Sequence, residues 1–201
     1  MIRLLLADDQ SLVRGALAAL LSLESDLEVV AEVGRGDEVV EAARAHSVDV
    51  ALLDVQMPGL DGIEATAALK AAMPDVRVLV VTTFGRPGFL RRALKAGADG
   101  FVVKDTPARQ LADAVRRVHQ GLRVVDPQLA ADSVVTGDSP LTERETEVLR
   151  AARDGASVAT IARAVFLSQG TVRNHLSAAI GKTGADNRGE AVRIAEQSGW
   201  L

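Results

Sequence analysis

Residues 48–54 read Val-Asp-Val-Ala-Leu-Leu-Asp, a short and mostly apolar run that stops on Asp54. Seven residues are too few for a typical helix, and the Val/Leu content suits a strand covered on both faces. The same form recurs at Ile2–Ala7, Leu27–Glu32, Val76–Val81 and Gly100–Val103. Between these runs the apolar residues fall at helical spacing. Leu12, Val13, Ala16, Leu17, Leu20 and Leu21 form one stripe, Phe89, Leu90, Ala93 and Leu94 a second, and Leu111, Val115 and Val118 a third. Thr106–Pro107 has the composition of a helix start, with Thr as the cap and Pro in the first turn. Regular strand–helix alternation predicts an open, doubly wound α/β domain.

Polar residues cluster where the strands end. Asp8 and Asp9 follow the first strand, Asp54 the third, Thr82 closes the fourth and Lys104 the fifth. In an open parallel sheet, ligands bind beyond the carboxyl ends of the strands, where the strand order reverses. With five parallel strands in the flavodoxin-like order 2-1-3-4-5, the first and third flank that point, so the three carboxylates converge. Crowded carboxylates repel one another unless a counter-charge is present. Mg²⁺ suits such a site, because it takes a few carboxylate oxygens, waters and a phosphate oxygen. A hydroxyl from Thr82 and an ammonium from Lys104 beside that cluster predict a phosphoryl site. One Asp after a strand is more often a loop acid or helix cap. The whole set, each member at the end of a strand, carries the reading.

Residues 121–139 break the alternation with Gly121, Pro127, Gly137 and Asp138, and are read as a linker. This predicts one domain over residues 1–120 and a second over 140–201, where only helices follow. Thr142 and Glu145 have capping-box spacing, and Ser157, Ser168 and Asn187 stand at further helix starts. In the helix from Ser168, Val172, Leu176, Ala179 and Ile180 form the inward stripe. The opposite face carries Gly170, Arg173, Asn174, Ser177 and Gly181. Arg and Asn are the side chains that pair bidentately with guanine and adenine in a major groove. The short helix before it and the junction at Phe166–Leu167 predict a helix-turn-helix. The alternative is a helical dimerisation module with a solvated polar face. Charge decides little: residues 1–138 carry net −5 and residues 139–201 net +1, with no acid between Asp154 and Asp186.

The 201 residues contain no cysteine, which removes disulfides, thiolate metal sites and Cys nucleophiles. Acid at Asp8 and Asp9 interrupts the N-terminal apolar run too early for a signal peptide, and no run is long enough to span a membrane. The expectation is a cytoplasmic protein.

The stretches LLADDQ (5–10), LLDVQMPGLDG (52–62), VVTTF (80–84) and ALKAGADGFVVKD (93–105) resemble the receiver domain of bacterial two-component response regulators. The resemblance implies phosphorylation of Asp54 by a sensor histidine kinase. It also implies Mg²⁺ held by Asp8, Asp9, Asp54 and the backbone carbonyl of Gln56, with Thr82 and Lys104 completing the site. Phe101 stands at the family's switch aromatic, where Tyr is commoner. The helices from Leu141 onward resemble the four-helix LuxR-type DNA-binding domain, so the whole chain is similar to the NarL/FixJ class. That implies a transcription factor, not an enzyme, binding double-stranded DNA as a homodimer formed on phosphorylation. Dimers would form through the face of helix 4, strand 5 and helix 5, or that of helices 1 and 5. Arg173 and Asn174 would face bases, and Thr171 and Lys182 the phosphate backbone. Ser177 stands where some members have lysine. Gly181 and Thr183–Gly184 replace bulkier residues and leave open where the recognition helix stops. A narrower likeness to DesR-type regulators rests on Phe84, Arg86, Pro87 and Phe89.

Three rivals fare worse. An aspartyl-phosphate hydrolase of the haloacid dehalogenase type needs a second Asp two residues after the nucleophile, and Gln56 stands there. A ligand-sensing LuxR regulator has no use for Asp8, Asp9, Asp54 and Lys104 together. A receiver that is never phosphorylated has no need of the full set.

Overall fold

The computed structural model describes residues 1–83, 87–126, 129–130 and 139–201, excepting the side chain of Pro87. Phe84 and Arg86 of the DesR-type signature, and residues 127–128 and 131–138 of the expected linker, lie outside the described residues. The chain falls into two compact units.

The first unit alternates as expected: β1 (Ile2–Ala7), α1 (Ser11–Leu21), β2 (Leu27–Val33), α2 (Val39–Ala45), β3 (Val50–Leu53), α3 (Gly62–Ala72), β4 (Arg77–Thr82), α4 (Pro87–Lys95), β5 (Gly100–Val103) and α5 (Ala108–His119). A sixth strand, β6 (Val124–Val125), follows α5 and pairs parallel with β5, giving the order β2-β1-β3-β4-β5-β6. Two residues flanked by turn formers carry too weak an alternation to be read as a strand from sequence. Pairing with β5 creates it.

Alternation along each strand builds two cores, one on each face of the sheet. Leu5, Ala7, Leu53, Val78, Val80 and Phe101 point to the face covered by α2, α3 and α4, where they meet Val39, Ile63, Leu69 and Leu90. Leu4, Leu6, Val50, Leu52, Leu79 and Val81 point to the other face and meet Leu21 of α1 and Leu111, Val115 and Val118 of α5. Strands β1, β3 and β4 are thus apolar on both sides, while the edge strand β2 carries Glu28 and Glu32, as edges that resist further pairing do.

Two local expectations are corrected. The α1 stripe is mostly unburied: Leu21 is inside and Leu17 packs on the core, but Leu12 is 85% exposed and Leu20 44%. Of the leucines of α1, only Leu17 and Leu21 turn onto the core. Helix α5 is not capped by Thr106. It begins at Ala108 with Pro107 at the N-cap and no side-chain cap. An anchor absent from the expectations joins α5 to the α1–β2 turn: Arg116 reaches Asp26 at 2.7 Å and Glu24 at 2.6 Å. The Arg116 hydrogen bond holds the Asp26 carboxyl down at about 2.

The second unit has helices α6 (Glu143–Arg150), α7 (Val158–Ala164), α8 (Gln169–Thr183) and α9 (Arg188–Gln197). Leu141, Val148, Leu149, Ile161, Val172, Leu176, Ala191 and Ala195 make its core. Thr142 and Glu145 form a complete capping box, and Ser157, Ser168 and Asn187 each accept a backbone N–H at a helix start. At α9 the return half of the box is displaced by one residue, because Glu190 accepts from the backbone N–H of Asp186. Helix α8 runs through Gly181 and stops at Gly184, whose φ of 66° is the left-handed conformation that ends helices.

Gly62, the first residue of α3, packs against the backbone that follows β3. A Cβ there would lie 1.8 Å from the backbone oxygen of Asp54, so only glycine lets α3 start this close to β3. Gly62→Ala is expected to cost about 1–3 kcal/mol by overpacking, read as a lowered urea midpoint.

Candidate functional site

The site grows out of the ends of β1, β3 and β5. Asp8 follows β1, and its backbone N–H donates to Val33 O at 3.2 Å. Asp54 follows β3 and donates its N–H to Ala7 O at 2.8 Å. Both side chains are buried, and Asp9 is exposed beside them. One carboxylate oxygen from each of Asp8, Asp9 and Asp54 lies within 4.8 Å of the others. Lys104, after β5, donates its Nζ to Asp8 Oδ2 at 2.7 Å and to Asp54 Oδ2 at 3.0 Å. The second oxygen of Asp54 accepts the Val55 N–H at 2.8 Å.

Burial pushes the Asp54 carboxyl up, and Asp8 adds to this, while the Lys104 hydrogen bond pulls the other way without cancelling it. Burial opposes the Lys104 ammonium, but its bonds to Asp8 and Asp54 outweigh that and hold it above its ordinary value. Three carboxylates against one ammonium leave two negative charges uncompensated, which fits a hard divalent cation.

The remaining expected residues fall around this cluster. Thr82 is buried at the end of β4, and its backbone oxygen accepts the Lys104 N–H at 2.8 Å. Gln56 sits exposed in the loop two residues past Asp54. Phe101 is fully buried among the β4 and α4 side chains. Arg14 of α1 was not anticipated: its guanidinium donates to the Asp8 backbone oxygen and its Nε faces Glu32 at 3.4 Å. Its only sequence signal was a cation inside the apolar stripe of α1.

On α8, Val172, Leu176 and Ala179 are buried, and Arg173, Asn174 and Ser177 are exposed together on the opposite face. Two of the five expected DNA residues are engaged within the domain. The Thr171 hydroxyl lies 2.8 Å from Ser168 Oγ, at the cap of α8. Lys182 donates to Glu145 Oε2 at 2.7 Å, and Glu145 is buried. Burial alone would raise the Glu145 carboxyl. The bonds from Lys182 and Thr142 reverse that and leave it below its ordinary value. One acid thus closes the α6 cap and anchors the far end of α8.

A parallel-sheet receiver joined to these four helices defines a class. The family described as "Response regulator receiver domain" matches residues 4–116, and "Bacterial regulatory proteins, luxR family" matches 139–195. The chain belongs to the two-component response regulators with a LuxR-type DNA-binding domain, and these are transcription factors, not enzymes. It is 40% identical over 201 residues to the transcriptional regulatory protein DesR of Bacillus subtilis (strain 168), with both chains covered completely. The uncharacterized transcriptional regulatory protein YvfU of the same organism is 42% identical over 201 residues, again with both chains covered completely. The crystal structure of the response regulator ChrA of a heme-sensing two-component system matches with a TM-score of 0.60 at 35% identity. That match covers 100% of this chain and 98% of the other. No helix among the described residues is long and apolar enough to cross a membrane.

Two titrations test these electrostatics. Asp54 has a raised folded-state value, so stability is lost as pH rises from its ordinary 3.8 through that value. In metal-free buffer at pH 7, Asp54→Asn is expected to melt higher than the wild type, with the gap closing below pH 3.8. Glu145 has a depressed value, so its contribution is present above its ordinary 4.5 and lost as pH falls through the folded value. Glu145→Gln, which keeps the cap acceptor, is expected to melt lower at pH 7 and to converge with the wild type below pH 4.5.

Proposed function

We propose that Asp54 is the phosphoacceptor of this response regulator and that a sensor histidine kinase is the donor. The observation that carries the proposal is the convergence of Asp8, Asp9 and Asp54 with Lys104, 3.0 Å from Asp54. A carboxylate oxygen of Asp54 attacks the phosphorus, the P–N bond to the kinase imidazole breaks, and the imidazole leaves with the bonding pair. Lys104, now paired with Asp8 and Asp54, moves its ammonium onto a phosphoryl oxygen. Thr82 donates its hydroxyl to another, and Phe101, already inside, fills the space behind it. Asp8, Asp9, Asp54 and the Gln56 carbonyl would hold Mg²⁺, which supplies charge neutralisation at the phosphoryl oxygens. The kinship with ChrA, a protein of a two-component system, supports a kinase donor.

The output is double-stranded DNA binding through α8, with Arg173 and Asn174 at base edges and Ser177 beside them. Thr171 and Lys182 hold the helix in place through Ser168 and Glu145, and the half-exposed Lys182 ammonium keeps further N–H donors for a phosphate. Phosphorylation favours a homodimer, which links two half-site readers. The exposed Leu12 and Leu20 of α1 favour the α1–α5 face for that contact. We assign the receiver to residues 1–120, the linker to 121–139 and the DNA-binding domain to 140–201, in a cytoplasmic protein.

Incubation with acetyl phosphate and Mg²⁺ is expected to add one phosphoryl group, about 80 Da by intact mass, to the wild type. Asp54→Ala is expected to gain none. An adduct that persists in the variant overturns the assignment.

A further inference from the structure

The turn before the recognition helix holds a residue with no task inside the domain. Three of the four helices of this unit end with the same long backbone bond: Leu167 N–H to Ala162 O at 2.9 Å, Ala185 N–H to Ile180 O at 3.1 Å, and Trp200 N–H to Ala195 O at 2.7 Å. This closure puts one residue in the left-handed region. After α8 and α9 that residue is a glycine, Gly184 and Gly199, each with φ of 66°. After α7 it is Phe166, with φ of 54°.

Glycine adopts this conformation freely, whereas any residue with a Cβ is strained in it. The strain brings no packing in return, because Phe166 is 94% exposed. The hydrophobic contact of the turn is made by its neighbour Leu167, which packs on the core. Removing the ring therefore leaves the domain intact and removes an exposed apolar surface. A strained, exposed ring with no packing inside the domain points to a contact outside the chain.

Position and charge select the partner. Phe166 is two residues ahead of Ser168, the cap of α8, so it borders the end of a helix-turn-helix recognition helix that meets base edges. Arg163 on one side and Arg173 on the other are exposed, and among the described residues neither pairs with a carboxylate. No acid occurs between Asp154 and Asp186. An aromatic ring in a stretch of chain that holds no acid, beside two exposed cations that pair with no carboxylate among the described residues, suits a polyanion that also offers apolar edges. Duplex DNA does so through deoxyribose carbons and thymine methyl groups.

We propose that Phe166 is a DNA-contacting residue, packing its ring on the sugar edge or a thymine methyl beside the groove that receives α8. This rests on the DNA-binding role of α8 and adds an uncharged, apolar contact to it.

The full-length protein is used, with a duplex that the wild type selects from a randomised library. Phe166→Ala and Phe166→Gly are each expected to weaken binding about tenfold. The dependence of affinity on salt should keep its slope, because the ring displaces no counterions. Phe166→Gly should melt at or above the wild-type temperature, since it relieves the left-handed strain. Arg173→Ala is the control for the α8 reading: if it binds like the wild type while the Phe166 variants do not, the Arg173 assignment fails and this one stands. Affinities of both Phe166 variants within twofold of wild type would overturn the proposal. So would a loss that follows a lowered melting temperature, a changed dimer mass with DNA affinity intact, or a wild type that selects no duplex.

Discussion

Lys104 sits between two buried carboxylates, 2.7 Å from Asp8 and 3.0 Å from Asp54, and this ammonium makes the receiver site tolerable to the fold. Two ionised acids at the ends of adjacent buried strands repel each other in a region that water reaches poorly. The sheet topology creates the difficulty, since β1 and β3 are neighbours and each is followed directly by a buried Asp. It also supplies the remedy, because β4 and β5 carry Thr82 and Lys104 to the same rim. Lys104 leaves the cluster with net negative charge, which suits a divalent cation.

The surroundings hold this cluster still. Gly62 brings α3 against the Asp54 carbonyl, and Arg14 grips the Asp8 carbonyl from α1. Phe101 lies wholly inside the core on the face of α4. Without a hydroxyl, it gains nothing from water by turning outward, so its inward position carries no desolvation cost. A tyrosine at the same place would have to surrender a hydration partner.

The helical domain solves a related problem with one acid. Glu145 caps α6 and accepts from Lys182 near the end of α8, so the helix that presents Arg173 and Asn174 is anchored at its C-terminal side. Its N-terminal side is fixed by the Ser168 cap and the turn at Phe166. The outward face thereby presents Arg173, Asn174 and Ser177 to solvent. Surface is unspent in the receiver as well, where α1 presents Leu12 and Leu20 to solvent.

Much of this was legible in the chain. Runs such as Val50–Leu53, apolar at every position, announce strands covered on both faces, and acids directly after them announce a site at the sheet's carboxyl edge. Periodicity at Val172, Leu176 and Ala179 separated the inner from the outer face of the recognition helix. Those features are local, set by spacing along a few residues. The rest depended on partners far away in sequence. β6 forms by pairing with the edge that β5 offers, and α1 shows Leu12 and Leu20 because only Leu17 and Leu21 of its leucines turn onto the core. Lys182 donates to Glu145, 37 residues earlier, because packing brings α6 across the end of α8, and no spacing along the chain announces that pair. The sequence by itself determined which residues form elements and which chemistry gathers at their ends. Only the tertiary structure decided which charges are already spoken for, because pairing and burial depend on distances that chain spacing does not contain.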